Sequence, residues 1–393
     1  MPVLKVIRSI VVPEVEEVRS RLAEWSVAHP DDVRVRLLDV ERGRTGRPAH
    51  EWAAAFLEAL VRSSAEGGPA DGSSLPDTRD LRGLPFRLTL GGDWARLYYS
   101  HALGDGTASW DFVGWLLAQD NRPDFGADRC AGPLTRGLLA TFCRPGSKLP
   151  QAVSIHRQLG RLRTGGTEKV VHVAGPPSGT TTVAATSSAS FAQGVRRFRA
   201  ARGSAASVMS IMTLRALLLC RHHGLQVDGT VVFMVDLRRY LADRGPVDGN
   251  FSWSKSVPIL DSDTPTELSA RIGGIVDSGL PLLIFGRAVQ RARTHGSGRP
   301  SARADGPVRL MMSYGTRWST APPPAGSAPP RITVSIAPPG PAFIGVNVVE
   351  AYGRIHASVN RCGGVDRALV GRIATDFVAD LGTGPIDESL WGR

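Results

Sequence analysis

Cysteine is scarce in this sequence, and long hydrophobic runs and dense blocks of like charge do not occur. The four cysteines among 393 residues form no CxxC pair, so the sequence predicts no zinc or other metal site and no thioredoxin-like redox site. Thiols scattered through a chain of this size are typical of the reducing cytoplasm, where we expect the protein to act. No apolar run reaches the roughly 18 residues that a transmembrane helix needs, so none is predicted.

The first residues also lack the pattern of a secretory signal. Residues 1–18 carry one lysine and one arginine among short apolar runs, which a proline and several glutamates interrupt. There is no long apolar core followed by a small-residue cleavage site, so we interpret the segment as a β-strand rather than as a targeting signal.

The charge balance is positive, with 47 Lys and Arg against 36 Asp and Glu and a formal net charge of +11. Such a balance favours acidic partners, among them a phosphate-bearing ligand or an acidic carrier protein, although an arginine-rich solvated surface explains it equally well. The sequence has no zinc finger, no helix-turn-helix signature and no basic motif interleaved with aromatic residues. Nucleic-acid binding is therefore not predicted.

Helix-like and strand-like hydropathy patterns alternate through both halves of the chain, which predicts a mixed α/β (α+β) fold with two lobes. A segment rich in Gly, Thr, Ser and Pro divides the lobes. We place the N-terminal lobe at 1–165, a linker at 166–187 and the C-terminal lobe at 188–393. Strands are expected at 33–39, 85–90, 94–100, 229–236, 308–314, 331–336, 342–349 and 351–359, and the clearest helices at 14–27, 51–62, 206–223 and 364–381.

One strand–turn–helix segment carries the clearest chemical pattern. The strand ends next to His101, a short glycine-containing turn follows, and an amphipathic helix begins at Thr107. Histidine is the side chain best matched to proton transfer near neutral pH. Asp105 lies on the same turn, where an ion pair with an arginine would fix the loop, and Gly106 permits a backbone conformation or close approach that a Cβ atom would block. Taken alone, the pattern also fits an ordinary loop histidine.

The spacing His101-x-x-x-Asp105-Gly106 resembles the HHxxxDG motif of the condensation domains of non-ribosomal peptide synthetases. It also resembles the HxxxDG motif of the related CoA-dependent acyltransferases, which include wax ester synthases and polyketide-associated acyltransferases. The first histidine of the longer motif is replaced by Ser100. A second block also resembles this superfamily. In both, a long helix is followed by a strand and then by three short motifs. Here these motifs are Asp236-Leu237-Arg238-Arg239, Gly249-Asn250 and Val257-Pro258.

One late segment departs from the family pattern. Family members often carry an SN-x-G or a DFGWG segment, whereas this chain has Met312-Ser313-Tyr314-Gly315. The lack of DFGWG separates the chain from the plant alcohol acyltransferases. The altered segment leaves open how the channel for the acyl acceptor closes.

The resemblance implies an α/β fold of two chloramphenicol-acetyltransferase-like lobes, which form a V-shaped pseudo-dimer with the active site in the cleft. It implies an acyltransferase or condensation enzyme that moves an acyl group from coenzyme A, or from a carrier-protein phosphopantetheine, to an amine or alcohol. The thioester is then a co-substrate and no cofactor is tightly bound. A monomer is expected, because the two lobes already supply the interface that single-lobe trimeric relatives form between chains.

The resemblance also implies a role for each candidate residue. His101 is the general base, and Asp105 and Gly106 support it. Asp105 is expected to pair with Arg238, which fills the family's arginine position, or with Arg239. Four further residues are candidates for lining the channel or binding the oxyanion of the tetrahedral intermediate: Ser100, Asn250, Trp253 and Ser313. Two alternatives stay open, namely a catalytically silent relative that binds an acylated carrier protein, and an epimerase or cyclase on the same scaffold.

Overall fold

Two large β-sheets and one two-stranded sheet, with helices packed against the large sheets, form the part of the chain that the computed structural model describes. That part comprises residues 2–39, 44–48, 53–64, 81, 83–117, 131–143, 145–162, 180–201, 205–242, 247, 250–295, 307–315, 328–338, 343–361 and 366–381. The mixed α/β class that the hydropathy pattern predicts is confirmed.

The regular elements alternate along the chain. The strands are β1 (Pro2–Arg8), β2 (Arg36–Asp39), β3 (Arg44–Pro48), β4 (Val61–Ser63), β5 (Phe86–Leu90), β6 (Trp94–Ser100), β7 (Thr181–Thr186), β8 (Val227–Asp236), β9 (Ser252–Pro258), β10 (Val308–Gly315), β11 (Arg331–Ile336), β12 (Phe343–Ala351) and β13 (Arg354–Arg361). The helices are α1 (Val15–Ala28), α2 (Ala53–Leu60), α3 (Gly106–Leu116), α4 (Ala131–Phe142), α5 (Leu149–Leu162), α6 (Ala189–Ala201), α7 (Val208–His222), α8 (Pro265–Asp277), α9 (Leu280–His295) and α10 (Arg367–Phe377).

The first sheet has the strand order β11-β1-β6-β5-β4. β1 lies antiparallel between β11 and β6, and β5 and β6 form a hairpin. Apolar side chains of this sheet pack on the helices, as in the edge-to-face contact of Phe86 with Phe112 of α3, whose ring centroids are 5.1 Å apart. β1 is buried on both faces, and even Lys5 in its middle is only 2% exposed.

The second sheet has the strand order β7-β13-β12-β10-β8-β9. β10 is parallel to both β8 and β12, whereas the remaining pairs are antiparallel. One face, which includes Phe233, Leu310 and Ile344, shares an apolar cluster with α6, α7, α8 and α10. The carboxyl ends of β8, β10 and β12 meet at the same edge, because parallel strands run in one direction.

Two strands have pairing partners that the predicted lobes and linker do not indicate. β7 falls within the predicted linker 166–187, yet it pairs with β13 in the second sheet. β11 falls within the predicted C-terminal lobe 188–393, yet it pairs with β1 in the first sheet, from Val3 opposite Ile336 to Arg8 opposite Arg331. Pairing partners far apart in sequence leave no local signal, because hydropathy alternation shows which face of a strand is buried and not which strand lies beside it.

β11 also joins the two sheets. Its outer edge lies on β13, where backbone N–H groups of β11 donate to side chains of β13. The N–H of Val334 donates to the Ser358 hydroxyl at 2.9 Å, and the N–H of Ile332 donates to Nδ1 of His356 at 3.3 Å. Side chains of the second sheet therefore satisfy an edge of the first sheet that would otherwise stay unpaired.

The helices are short relative to the thickness of a bilayer. In the described ranges no single helix is long and apolar enough to cross a membrane. α8 and α9 satisfy the length and composition criteria only as a pair, and they are bent by 52° at the break between them.

Candidate active site

His101 lies in the turn that connects the end of β6 to the start of α3. β6 ends at Ser100, and His101 opens a single 3-10 turn that runs to Leu103. Asp105 then caps α3, because one oxygen of its carboxylate accepts from the backbone N–H of Ala108 at 3.2 Å. Aspartate is among the favoured residues at this helix position. The strand and the capped helix therefore fix the turn that carries the imidazole from both sides.

Asp105 is almost fully buried, with 4% of its surface exposed. Its second carboxylate oxygen accepts from Nη1 of Arg238 at 2.6 Å and from the backbone N–H of Phe251 at 3.2 Å. Arg238 follows β8 and Phe251 precedes β9, so this one carboxylate links the first helix turn of α3 to the second sheet. All its described contacts serve this link, and none is with the imidazole.

The guanidinium of Arg238 fits the same arrangement. It also lies 3.2 Å from a carboxylate oxygen of Asp236 and donates to the carbonyl of Val247 at 2.9 Å. Burial disfavours its charged form, but the negative charges and hydrogen bonds of Asp105 and Asp236 outweigh burial and raise the pKa of Arg238. Arg239 points elsewhere and lies 3.9 Å from Asp277 in an exposed ion pair. Of the two predicted partners, Arg238 is the one beside Asp105.

The His101 side chain is partly buried, and burial lowers the pKa of its imidazole below the ordinary value. A weak contact with its own backbone and the charge of Asp105 act in the opposite direction, whereas Lys5 lowers the pKa further. Its Nδ1 atom is buried and has no hydrogen-bond partner of good geometry among the described residues. The ring is therefore neutral near pH 7, which is the protonation state that a general base requires.

The sequence gives no sign of a buried amine beneath this turn. Lys5 of β1 donates to the Ser109 hydroxyl at 2.5 Å, and its Nζ lies 3.8 Å from the ring centroid of Trp110. The Tyr99 hydroxyl donates to the same serine at 2.9 Å. Burial lowers the pKa of Lys5 well below its usual range, although the charges of Asp105 and Asp111 oppose this shift. These contacts tie the first turns of α3 to the sheet.

Gly106 lies in open surroundings at the start of α3. It is the first residue of α3, its φ lies outside the left-handed region, and a Cβ atom at this position would meet no described atom within 4 Å. None of the described atoms therefore requires a glycine at this position, and the predicted close approach stays a prediction.

The structure brings some of the other predicted residues to this junction. Ser100 is buried at the end of β6. Asn250 is half-buried next to Phe251, and its side-chain oxygen accepts from the Ser252 hydroxyl at 2.7 Å. Ser313 lies near the carboxyl end of β10, directly opposite Asn347 of β12. Among described residues no group of three or more His, Cys, Asp or Glu side chains could hold a metal ion.

Trp253 is not brought to the junction. Its ring packs on Phe285 of α9 with centroids 5.6 Å apart, within an apolar cluster that includes Phe251 and Leu282. Successive residues of β9 point to opposite faces, so Trp253 faces the helices while Ser252 and Ser254 face the other way. The half-buried indole of Trp253 thus packs on the cluster beside α9, and its predicted role in lining a channel stays a prediction.

The carboxyl ends of β10 and β12 face α3. A Cβ atom on Gly315, the last residue of β10, would lie 3.9 Å from the indole nitrogen of Trp110. Val349 and Ala351 of β12 belong to the apolar cluster of the first sheet. The turn that carries His101 therefore lies where helix α3, which packs on the first sheet, meets one edge of the second sheet.

Comparisons with known proteins rest on structure alone. No protein-family model matches the sequence, and no curated protein sequence matches it either. Among solved structures, the first condensation domain of the calcium-dependent antibiotic synthetase, in complex with a substrate analogue, has a TM-score of 0.57 and 17% identity. The match covers 96% of this chain and 91% of that domain.

Two further similar structures have different activities. Trichothecene 15-O-acetyltransferase from Fusarium sporotrichioides has a TM-score of 0.57 and 11% identity, with 95% of this chain and 88% of that protein covered. The epimerization domain from the third module of tyrocidine synthetase B has a TM-score of 0.56 and 13% identity, with 96% and 90% covered. The chain therefore has the chloramphenicol-acetyltransferase-like fold that condensation domains share with the CoA-dependent acyltransferases.

Proposed function

We propose that this protein is an acyltransferase that moves an acyl group from a coenzyme A or carrier-protein thioester to an amine or alcohol. The observation that carries the proposal is the link from Asp105 to Arg238 and to the backbone of Phe251. This link holds the turn of His101 at the junction of the two lobes. It is the arrangement expected when an aspartate in an HxxxDG motif is structural and the histidine is free to act on substrate.

The proposed reaction is a direct transfer. Nδ1 or Nε2 of the neutral His101 imidazole accepts the proton of the acceptor's hydroxyl or amine as the acceptor's lone pair attacks the thioester carbonyl. The tetrahedral intermediate then collapses, the carbon–sulfur bond breaks, and the thiolate takes the proton from the imidazolium. No bond forms between the protein and the acyl group.

The negative oxygen of that intermediate needs hydrogen-bond donors. The first backbone N–H groups of a helix have no partner within the helix, and the helix dipole favours negative charge near them. The start of α3 at Gly106 therefore supplies one set of candidate donors, and the Ser313 hydroxyl on β10 supplies another. Both flank the junction at which His101 lies.

The donor is proposed to be a soluble thioester. A net charge of +11 favours the phosphates of coenzyme A or the acidic surface of a carrier protein. A similar condensation domain was solved in complex with a substrate analogue, which supports substrate binding on this fold. We propose that the protein acts as a monomer in the cytoplasm, within bacterial natural-product biosynthesis.

The test is intact-mass detection of acyl transfer. Purified protein is mixed with a panel of acyl-CoAs and acyl carrier proteins and with pooled amine and alcohol acceptors. His101→Ala should reduce transfer by about a hundredfold or more, because positioned proton transfer commonly contributes that much. His156→Ala is the matched control, because His156 is exposed on α5. Full turnover by His101→Ala would rule out His101 as the base.

A second candidate function is epimerisation, which the similarity to an epimerization domain favours. The same imidazole would then remove a proton from the α-carbon of a carrier-bound aminoacyl group and return it on the other face. Running the assay in D2O separates the two reactions. Deuterium at the α-carbon without any new amide or ester would support epimerisation, and binding of an acylated carrier with neither change would support a silent binding protein.

A further inference from the structure

Asn347 in the middle of β12 has a buried amide nitrogen that finds no hydrogen-bond partner among the described residues. The residue is 4% exposed. Buried side-chain donors in folded proteins are nearly always paired, and an unpaired one costs free energy. A leucine or valine at this position would avoid that cost. The amide therefore points to a partner that binds during function.

The register of the sheet shows what surrounds this amide. Asn347 lies opposite Ser313 of β10 on one side and opposite Ser358 of β13 on the other. The Ser358 hydroxyl already accepts from the Val334 backbone N–H. Ser313 is partly exposed. Asn347 and Ser313 thus form a polar pair on neighbouring strands, about 5 Å apart between backbones.

This pair lies on the face of the second sheet that is turned away from its covering helices. Ile344, Val346 and Val348 of β12 pack in the helix-covered cluster, so Asn347 and Val349, which alternate with them, point to the other side. Val349 belongs to the apolar cluster of the first sheet. Two residues along the same face, Gly315 approaches Trp110 of α3. The pair is therefore directed at the junction that holds His101.

We propose that the Asn347 amide, with the Ser313 hydroxyl beside it, binds a carbonyl oxygen of the acyl-pantetheine substrate. An amide N–H can be satisfied only by an acceptor, and the pantetheine arm offers its amide and thioester carbonyls. The inference rests on the proposed function and names a second group that touches its substrate.

The test uses the leucine variant, which is close in size to asparagine and removes the amide. Asn347→Leu should melt at the same temperature as the parent or higher, because it removes an unpaired buried donor. Its affinity for acetyl-pantetheine and octanoyl-pantetheine should fall about tenfold. Calorimetric titration measures this affinity in a His101→Ala background, so that no turnover intervenes.

Asn360→Leu is the matched control. Asn360 lies on β13, on the same face, but its amide donates to the carbonyl of Ser358 at 3.2 Å and its oxygen accepts from the Thr182 hydroxyl at 2.7 Å. Its replacement should lower the melting temperature without a selective loss of affinity. Parental affinity in Asn347→Leu would overturn the inference and leave the proposed function intact. If the parent binds neither thioester, the proposed function fails and the inference fails with it.

Discussion

The buried amine of Lys5 should make the stability of the protein depend on pH. The pKa of this amine is lowered because burial penalises its charged form. The unfolded chain, in contrast, keeps a lysine pKa of about 10.4. Between these two pKa values the unfolded chain binds a proton that the folded site resists. Folding is therefore favoured more strongly as pH rises through this window, and the contribution is lost as pH falls through the folded pKa.

Lys5→Met tests this consequence. Methionine can occupy the space of the lysine stem, and the Ser109 hydroxyl keeps its hydrogen bond from Tyr99. The difference in melting temperature, wild type minus variant, should grow more positive between neutral pH and about pH 10. Scanning calorimetry across that range gives the measurement. A difference that stays constant with pH would mean that the buried amine does not change its protonation between the two states.

At the scale of elements, the link between α3 and the second sheet depends on one carboxylate. Asp105→Asn keeps an oxygen for the Ala108 backbone N–H but removes the charge beside Arg238. The buried guanidinium of Arg238 then keeps only the carboxylate of Asp236, 3.2 Å away, as a charged partner among the described residues, so the free energy of unfolding should fall by about 3 kcal/mol, the lower end of the usual cost of breaking a buried ion pair. Denaturant titration measures the fall, and acyl transfer should fall with it.

Asp277→Asn is the matched control for that change. It removes the charge of the exposed Asp277 carboxylate, one oxygen of which lies 3.9 Å from Nη2 of Arg239. Exposed ion pairs contribute little, so the loss should stay below about 1 kcal/mol. Equal losses in both variants would show that the buried pair has no special role.

The sequence predicts many elements of this fold because their signals are local. The alternation of β5 and β6, the long apolar α7 and the strands β10 to β13 all fall close to their expected positions. The predicted bounds are less accurate where one predicted element is in fact two successive elements. The helix expected at 51–62 ends at Leu60, and Val61–Ser63 form β4, because Val61 pairs with Leu88 of β5. Similarly, the strand expected at 33–39 begins with a 3-10 turn at Val33–Val35, which Asp32 caps.

Some residues of the candidate site can likewise be predicted from the sequence, and others cannot. His101 and Asp105 can be found from a motif, since their spacing along the chain reflects a turn. Lys5 and Asn347 cannot, because each is a single polar residue in an apolar strand and its meaning depends on distant neighbours. Trp253 shows a different limit of the sequence. The nearby Gly249-Asn250 motif suggests a channel residue, whereas the contact of its ring with Phe285 of α9 depends on which face of β9 it occupies.

At the scale of the whole molecule, β11 makes the stability of the two sheets interdependent. The Ser358 hydroxyl accepts the backbone N–H of Val334, and Nδ1 of His356 accepts that of Ile332. Burial lowers the pKa of His356 to about 4, so this nitrogen remains an acceptor at neutral pH. The edge of one sheet is thus closed by side chains of the other.

Ser358→Ala should therefore weaken both sheets at once. It leaves the Val334 N–H buried without an acceptor, which should lower the free energy of unfolding by about 1–3 kcal/mol. Hydrogen exchange should also become faster at Val334 and at its neighbours in β1. Ser254→Ala on β9, where the side chain is exposed, should change stability by less than about 0.5 kcal/mol. Unchanged exchange in β1 would contradict the coupling.

The pairing of β1 with β11 also affects how the first sheet forms while the chain is being synthesised. Translation runs from the amino terminus, so β1 leaves the ribosome long before β11 exists. Until then, the β1 side of the first sheet presents unpaired N–H and C=O groups, which invite other chains to add a strand. The first sheet of the nascent chain therefore stays incomplete until β11 has been synthesised. Its vulnerability to aggregation depends on the speed of elongation as much as on the finished fold.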